Sequence, residues 1–298
     1  MPTVYESFDA VTNRPLGRGP ALKRLFARIS DMSSLAMGAQ QIVRLCRGSS
    51  NLEHLQELIQ TDPSLVAQIL RRVNSSYYQL DTHVHDLTVA ARLLGFREFS
   101  NLALTVYFSR MYSPPMSFGT FNMAGLWAHS VAVAAAAQLV SRVCGCAAPA
   151  EAYLAGLLHD IGLLLCCKQM RRRFMQVVEQ VQGRRMTSHV ERQVYSFDHA
   201  QLGAHVARNW EFPEPIVDTI EHHHDVESYT GPHASLVYVI VAANYFCSRA
   251  GWTSLGVHNV ALPPDDTYRV LGLDQVALSI IWDELSVTLE KAAALAQL

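Results

Sequence analysis

Thirteen histidines stand in a chain of 298 residues, and several of them gather in its second half, among residues that otherwise read as apolar core. His159 and Asp160 follow the apolar run from Tyr153 to Leu158 and precede Ile161 and Gly162. A carboxylate placed there sits inside core and needs a partner, because an unpaired buried charge is costly. Neutral imidazole and ionised carboxylate are both good ligands for iron, manganese or zinc, so a divalent metal is the cofactor this pair calls for. The plainer alternative is a buried hydrogen-bonded pair that only ties helices together.

Further candidate ligands are His129 on an earlier helix, His199 ahead of Gly203, the run His222, His223 and His224, and the polar Asn244 within an apolar helix. Each falls on a different predicted helix, which is how a bundle builds a metal site from facing side chains. Consecutive helical residues point about 100° apart. His223 and His224 therefore share one pocket only if the helix ends there or two ions are straddled, and the sequence leaves open which two of the three histidines face inward. Cys166 and Cys167 are soft donors two turns past His159, and packing is their simpler account.

The elements that must hold these residues read as helices. Ser50 with Glu53 forms a capping box ahead of Leu52, Leu55, Leu58 and Ile59. Asp62 supplies the next N-cap and Pro63 the first helical position. Leu65, Val66, Ile69, Leu70 and Val73 then form a stripe opposite Gln68, Arg71 and Arg72. A run from Leu87 stops at Gly95, and another begins near Arg97. The segment Ser113-Pro114-Pro115 breaks the pattern, since two prolines cannot continue a helix. Beyond it, helices are predicted over residues 126–143, 151–167, 171–182, 199–210, 215–224, 234–249 and 274–295. The expected fold class is all-α. Residues 1–20 form a lead-in, 21–115 an N-terminal helical subdomain, 116–255 a second helical subdomain that carries the histidines, and 256–298 a C-terminal extension.

Composition narrows the function. With 24 basic and 26 acidic residues the formal net charge is −2, which gives no electrostatic reason to expect nucleic acid or an anionic membrane as partner. The basic groups Arg171-Arg172-Arg173 and Arg184-Arg185 read as solvated helix faces. The longest unbroken apolar stretches fall short of a membrane span of roughly 18 residues, no secretory signal is apparent, and a cytoplasmic protein is expected. The six cysteines form no CxxC pair and read as reduced thiols.

The order of these segments resembles the HD superfamily of metal-dependent phosphohydrolases, and within it the HDOD branch, the HD-related output domain of bacterial signalling proteins. The resemblance rests on Asp62-Pro63-Ser64-Leu65 through Asn74-Ser75, Ala91 through Leu94-Gly95, and Trp127-Ala128-His129-Ser130. It continues with Leu157 through Gly162, His199 through Ala204, Trp210 with Pro213, and Ile220 with His223-His224. It spans about residues 21–250.

It implies a multi-helix HD-like bundle, a metal site made of His129, His159, Asp160, His199, His223, His224 and Asn244, and a regulatory role with a signalling protein as partner. A small-molecule ligand is the other partner class left open.

Departures from the catalytic relatives weigh against chemistry. Asn244 stands where the superfamily has a closing aspartate, and removes one negative charge. Leu163 stands where the HD-GYP phosphodiesterases usually carry lysine, Gly125 where they carry glutamate, and no Gly-Tyr-Pro follows His224. Support for phosphate binding and for a second metal falls accordingly, and no residue is assigned a catalytic role. The expectation is a non-catalytic output module with a degenerate site. The alternative is a metal-dependent phosphohydrolase acting on a nucleotide or other phosphoester.

Overall fold

The computed structural model describes residues 7–8, 15–16, 33–47, 52–181, 186–257 and 262–297. Most of the expected lead-in, the Ser50 cap, Arg184-Arg185 and His258 lie outside the described residues, as does the side chain of Cys46. Within residues 1–20, β1 (Ser7–Phe8) and β2 (Pro15–Leu16) pair antiparallel. The described helices up to the break are α1 (Ser33–Arg47), α2 (Leu52–Gln60), α3 (Pro63–Val73) and α4 (Leu87–Ser109).

Asp62 caps α3 by accepting from the Leu65 N–H at 3.0 Å, and Pro63 opens the helix. Leu65, Ile69 and Val73 are buried, and so is Arg72, which the helical stripe places on the solvent side. The reason is the far end of the chain: the Arg72 guanidinium donates to the Gln297 carbonyl at 3.3 Å. In α4, Gly95 has φ 74° and ψ 167°, so two helical segments meet at a sharp bend where the sequence predicts a stop. Only glycine adopts that backbone without strain.

At the proline break, Ser113–Pro114 is a cis peptide, and a short hairpin follows, with β3 (Ser117–Phe118) paired to β4 (Phe121–Asn122). Asn122 then caps α5 (Met123–Cys144). The helix predicted over 151–167 is two helices, α6 (Pro149–Leu158) and α7 (Ile161–Gln169), with His159 and Asp160 in the turn between them. The break aims a carboxylate that a continuous helix would carry along its wall. Next come α8 (Arg171–Val181), α9 (Thr187–Tyr195), α10 (His199–Asn209), α11 (Glu214–His222), α12 (Ala234–Arg249), α13 (Asp266–Leu271) and α14 (Gln275–Ala296). The sequence pattern does not announce the short helices α9 and α13.

The core centres on α5, which packs against α6, α12 and α14. The last helix returns to the body, and the Trp127 indole N–H donates to the Ala296 carbonyl at 3.0 Å. Residues 123–144 and 149–169 have the length and hydropathy of membrane crossings, but 78% and 83% of their apolar windows are buried inside the fold. They are core helices.

Gly162 fixes how closely α7 meets α10: a Cβ there would stand 1.9 Å from the His199 carbonyl oxygen. Backbone against backbone at that distance admits only hydrogen, and the approach brings the residues after Asp160 onto the first turn of α10.

Candidate metal centre

Four segments deliver the site. His129 comes from the second turn of α5, His159 and Asp160 from the α6–α7 turn, His199 from the first residue of α10, and His223 and His224 from the end of α11. Helix α11 stops at His222, and that stop lets adjacent histidines turn into one pocket. His222 instead lies against Tyr229, with ring centroids 4.8 Å apart and the rings tilted by 43°, so it is His223 and His224 that turn toward Asp160.

Asp160 is the hub. Its Oδ2 lies 3.5 Å from His129 Nε2 and 3.3 Å from His159 Nε2, and its Oδ1 lies 3.2 Å from His199 Nε2 and 3.6 Å from His223 Nε2. His224 Nε2 is 2.9 Å from His199 Nε2. Two groups of donor atoms result, His129–His159–Asp160 and Asp160–His199–His223–His224, each with its atoms within 4.8 Å of one another. They share one carboxylate, one oxygen toward each. Six of the seven residues proposed from sequence thus converge. Asn244 lines the same cavity but accepts a hydrogen bond from Ser248 at 3.3 Å.

Backbone carbonyls set the ring orientations. His129 Nδ1 donates to Trp252 at 2.8 Å, His159 Nδ1 to Gly156 at 2.7 Å, and His223 Nδ1 to Ile220 at 2.8 Å. In a neutral ring whose Nδ1 carries the proton, Nε2 presents a lone pair. All three of these Nε2 atoms are buried and lack a hydrogen-bond partner. Lone pairs facing carboxylate oxygens at 3.3 to 3.6 Å repel unless a cation stands among them, so the donor set fits a metal ion.

Burial depresses His129 to about 4 and pushes His223 and His224 below the usual histidine range, so these rings are neutral and ligand-competent. Burial alone would raise the Asp160 carboxyl, but the surrounding imidazoles, wherever one carries a proton on Nε2, outweigh it and hold the group well below its ordinary value.

His199 differs. Burial works to lower its pKa, and Glu191 and Asp160 together raise it well above the usual range. Glu191 is fully buried, and its Oε2 accepts from His199 Nδ1 at 2.5 Å and from the His199 backbone N–H at 3.0 Å. The sequence reading missed Glu191. It sits on α9, a short polar helix, and no spacing rule links it to a histidine eight residues on across a turn. A carboxylate behind a ligating imidazole fixes its tautomer and strengthens it as a donor.

The cluster opens on a cavity of about 320 Å³ whose lining includes Asp160, His199, His223, His224, Leu163, Asn244, Asp225 and Glu227. Cys166 and Cys167 are buried in α7 and belong to neither ligand group among the described residues. Arg171, Arg172 and Arg173 are exposed, as a solvated helix face should be.

Comparison with known proteins places the fold. A crystal structure of an HDOD domain protein of unknown function from Geobacter sulfurreducens superposes with a TM-score of 0.74 at 24% identity, covering 92% of this chain and 91% of that one. A protein of Marinobacter aquaeolei provisionally assigned to signal transduction gives a TM-score of 0.76 at 23% identity, over 92% of this chain and 64% of its own length. An uncharacterized protein of Treponema pallidum is 26% identical over 220 residues, which are 73% of this chain and 42% of that protein, so this chain spans less than half of that relative. The HDOD domain family model matches residues 32–226. The chain belongs to the HDOD domain family, and its fold is all-α.

Proposed function

We propose that the chain is a regulatory output module of bacterial signal transduction, cytoplasmic, acting through contacts with a signalling protein rather than by turnover. A divalent metal held by His129, His159, Asp160, His199, His223 and His224 would stiffen the body of the module. Nitrogen-rich donors with a single carboxylate suit zinc, iron or manganese better than magnesium or calcium. The observation that carries the non-catalytic reading is the wall of the cavity beside the ligands. Leu163 and Asn244 stand where catalytic relatives place a lysine and an aspartate, and Asp225 and Glu227 add negative charge where a phosphoester would need positive. The provisional signal-transduction assignment of the Marinobacter neighbour supports the same reading.

A second reading is favoured by one specific feature, the two intact ligand groups on the two oxygens of Asp160. In a metal-dependent phosphohydrolase the bound cation activates water and polarises the phosphoryl oxygens. The chain's own part would be to hold Asp160 ionised, to orient His129 through Trp252 and to admit substrate through the cavity.

Protein purified without chelator should contain metal by elemental analysis and leave a panel of nucleotides, cyclic dinucleotides and simple phosphoesters intact. Turnover that scales with metal content, and is lost in Asp160→Ala, would overturn the output-module reading.

A further inference from the structure

A second cavity, of about 570 Å³, lies among the turn after α3, the part of α4 beyond Gly95, and helices α5 and α14. It shares no lining residue with the cavity at the histidine cluster. Its volume is in the range of a small-molecule site. Half-buried Glu98 of α4 lines it, with Gln138 and Arg142 one turn apart on α5. Tyr77 and Tyr78 join from the turn, and Asp283, Glu284 and Lys291 from α14.

The charges in this lining are not matched to one another. Three carboxylates, Glu98, Asp283 and Glu284, share the space with two cations, Arg142 and Lys291, and among the described residues none of the five forms an ion pair. Glu98 is the least well served. Its Oε1 accepts from the Tyr78 hydroxyl at 3.4 Å and its Oε2 from the Gln138 amide at 3.2 Å. Both bonds are long and both donors neutral, whereas a cation bonded to a carboxylate stands about 2.7–2.9 Å away. Burial pushes the carboxyl above its ordinary value, by more than Gln138, Tyr78 and Arg142 offset. A carboxylate drawn out of water without a cation at contact distance gains from one that arrives from outside. Tyr77 and Tyr78, with ring centroids 4.8 Å apart and planes at 75°, supply aromatic surface in the same lining. Carboxylate and aromatic surface together favour an organic cation, through its charge and through the ring quadrupole.

We propose that this cavity is a binding site for a small molecule carrying a protonated amine or guanidinium group, which Glu98 receives. The inference goes beyond the output-module reading and does not rest on the metal centre. Arg142 and Lys291 give the cavity a place for an anionic group as well, so a basic amino acid fits it better than a polyamine. A ligand held there bridges α14 to α5, the helix that carries His129 in its second turn, and gives the module a small-molecule input.

Isothermal titration calorimetry on the full chain tests this with L-arginine, with agmatine, which is arginine without its carboxylate, with spermidine, and with glutarate, which has no amine. The expected result is saturable binding of L-arginine, weaker binding of agmatine, and no binding of glutarate. Tighter binding of agmatine or spermidine also supports the cation site and assigns it to a polyamine. Glu98→Gln keeps the shape of the side chain and removes its charge, and should weaken amine binding about tenfold or more, as loss of a buried charged partner does. Binding of none of the three amines, glutarate binding at least as tight as theirs, or an unchanged amine affinity in folded Glu98→Gln would overturn the proposal. Should that variant fail to fold by circular dichroism, Thr288→Trp decides, because it fills the cavity from a partly exposed position on α14. Amine binding lost in that variant supports the site, and amine binding retained overturns it.

Discussion

The imidazole of His199 donates from Nδ1 to Glu191 Oε2 over 2.5 Å, inside a core from which both side chains exclude water. That contact presents Nε2 to Asp160 and His224, and it places a second anion one ring away from the ligands. Replacing such an outer partner typically costs about 10- to 100-fold in metal affinity. Glu191→Gln is therefore expected to bind zinc or manganese about tenfold more weakly, measured by competition with a chromophoric chelator. An unchanged affinity in a folded variant would mean that Glu191 serves packing alone.

Because Asp160 serves both ligand groups, its loss and the loss of a single imidazole should differ. Asp160→Ala is expected to strip the protein of metal. His129→Ala should leave the His199, His223 and His224 group able to hold an ion. Elemental analysis of each variant against the parent distinguishes the cases. Equal metal content in the two would contradict the shared-carboxylate arrangement.

Asn244 lines the cavity that opens on the ligands and carries no charge. Asn244→Asp should add a ligand charge and tighten metal binding by about tenfold, since hard cations prefer carboxylate to amide oxygen. A weaker or unchanged affinity, read by the same competition, would show that residue 244 stands outside the metal's reach.

Most of the site was legible in the sequence, for a chemical reason. Histidine and aspartate inside apolar runs are conspicuous, and the order His129, His159-Asp160, His199, His223-His224 survives in the fold as one cluster. What was not legible was carried by groups without a side-chain signature. The carbonyl of Trp252 orients His129, and any residue type could have supplied it. Glu191 looks like a surface acid until α9 is packed. Arg72 reads as the polar side of α3, and its backbone acceptor comes from the returning tail. Among the helices, the strong apolar patterns of α5, α11, α12 and α14 emerged close to their predicted ends. The break between α6 and α7 hid because both helices are apolar on every side.

The close contact of α7 with α10 makes a sharper stability prediction. Gly162→Ala drives a methyl into the His199 carbonyl, and overpacking of this kind costs about 3 kcal/mol or more. Urea denaturation of the metal-free protein should show a midpoint well below the parent's, with metal affinity falling as α10 is displaced. A neutral result would mean that the two helices have room to part.

Asp62 offers a test in acid. Its carboxyl caps α3 and pairs with Arg110 at 2.5 Å, and the guanidinium, ahead of the cap bonds, holds it below the ordinary carboxylate value. A depressed folded-state pKa stabilises above the unfolded value and loses that stabilisation as pH falls through the folded one. The pair is partly exposed, so the cap contributes most of the effect. Asp62→Ala should cost about 1 kcal/mol at neutral pH, with the gap to the parent closing in urea titrations as the pH falls through the lowered carboxyl value.

The family match ends at residue 226, yet the carbonyl that aims His129 belongs to Trp252, and the acceptor for the buried guanidinium of Arg72 belongs to Gln297. A fragment trimmed to the matched stretch would leave the His129 ring without the carbonyl that orients it and the Arg72 guanidinium without its acceptor. The tail is thus a working part of the module, and a functional assay on a shortened version would report the injury rather than the protein.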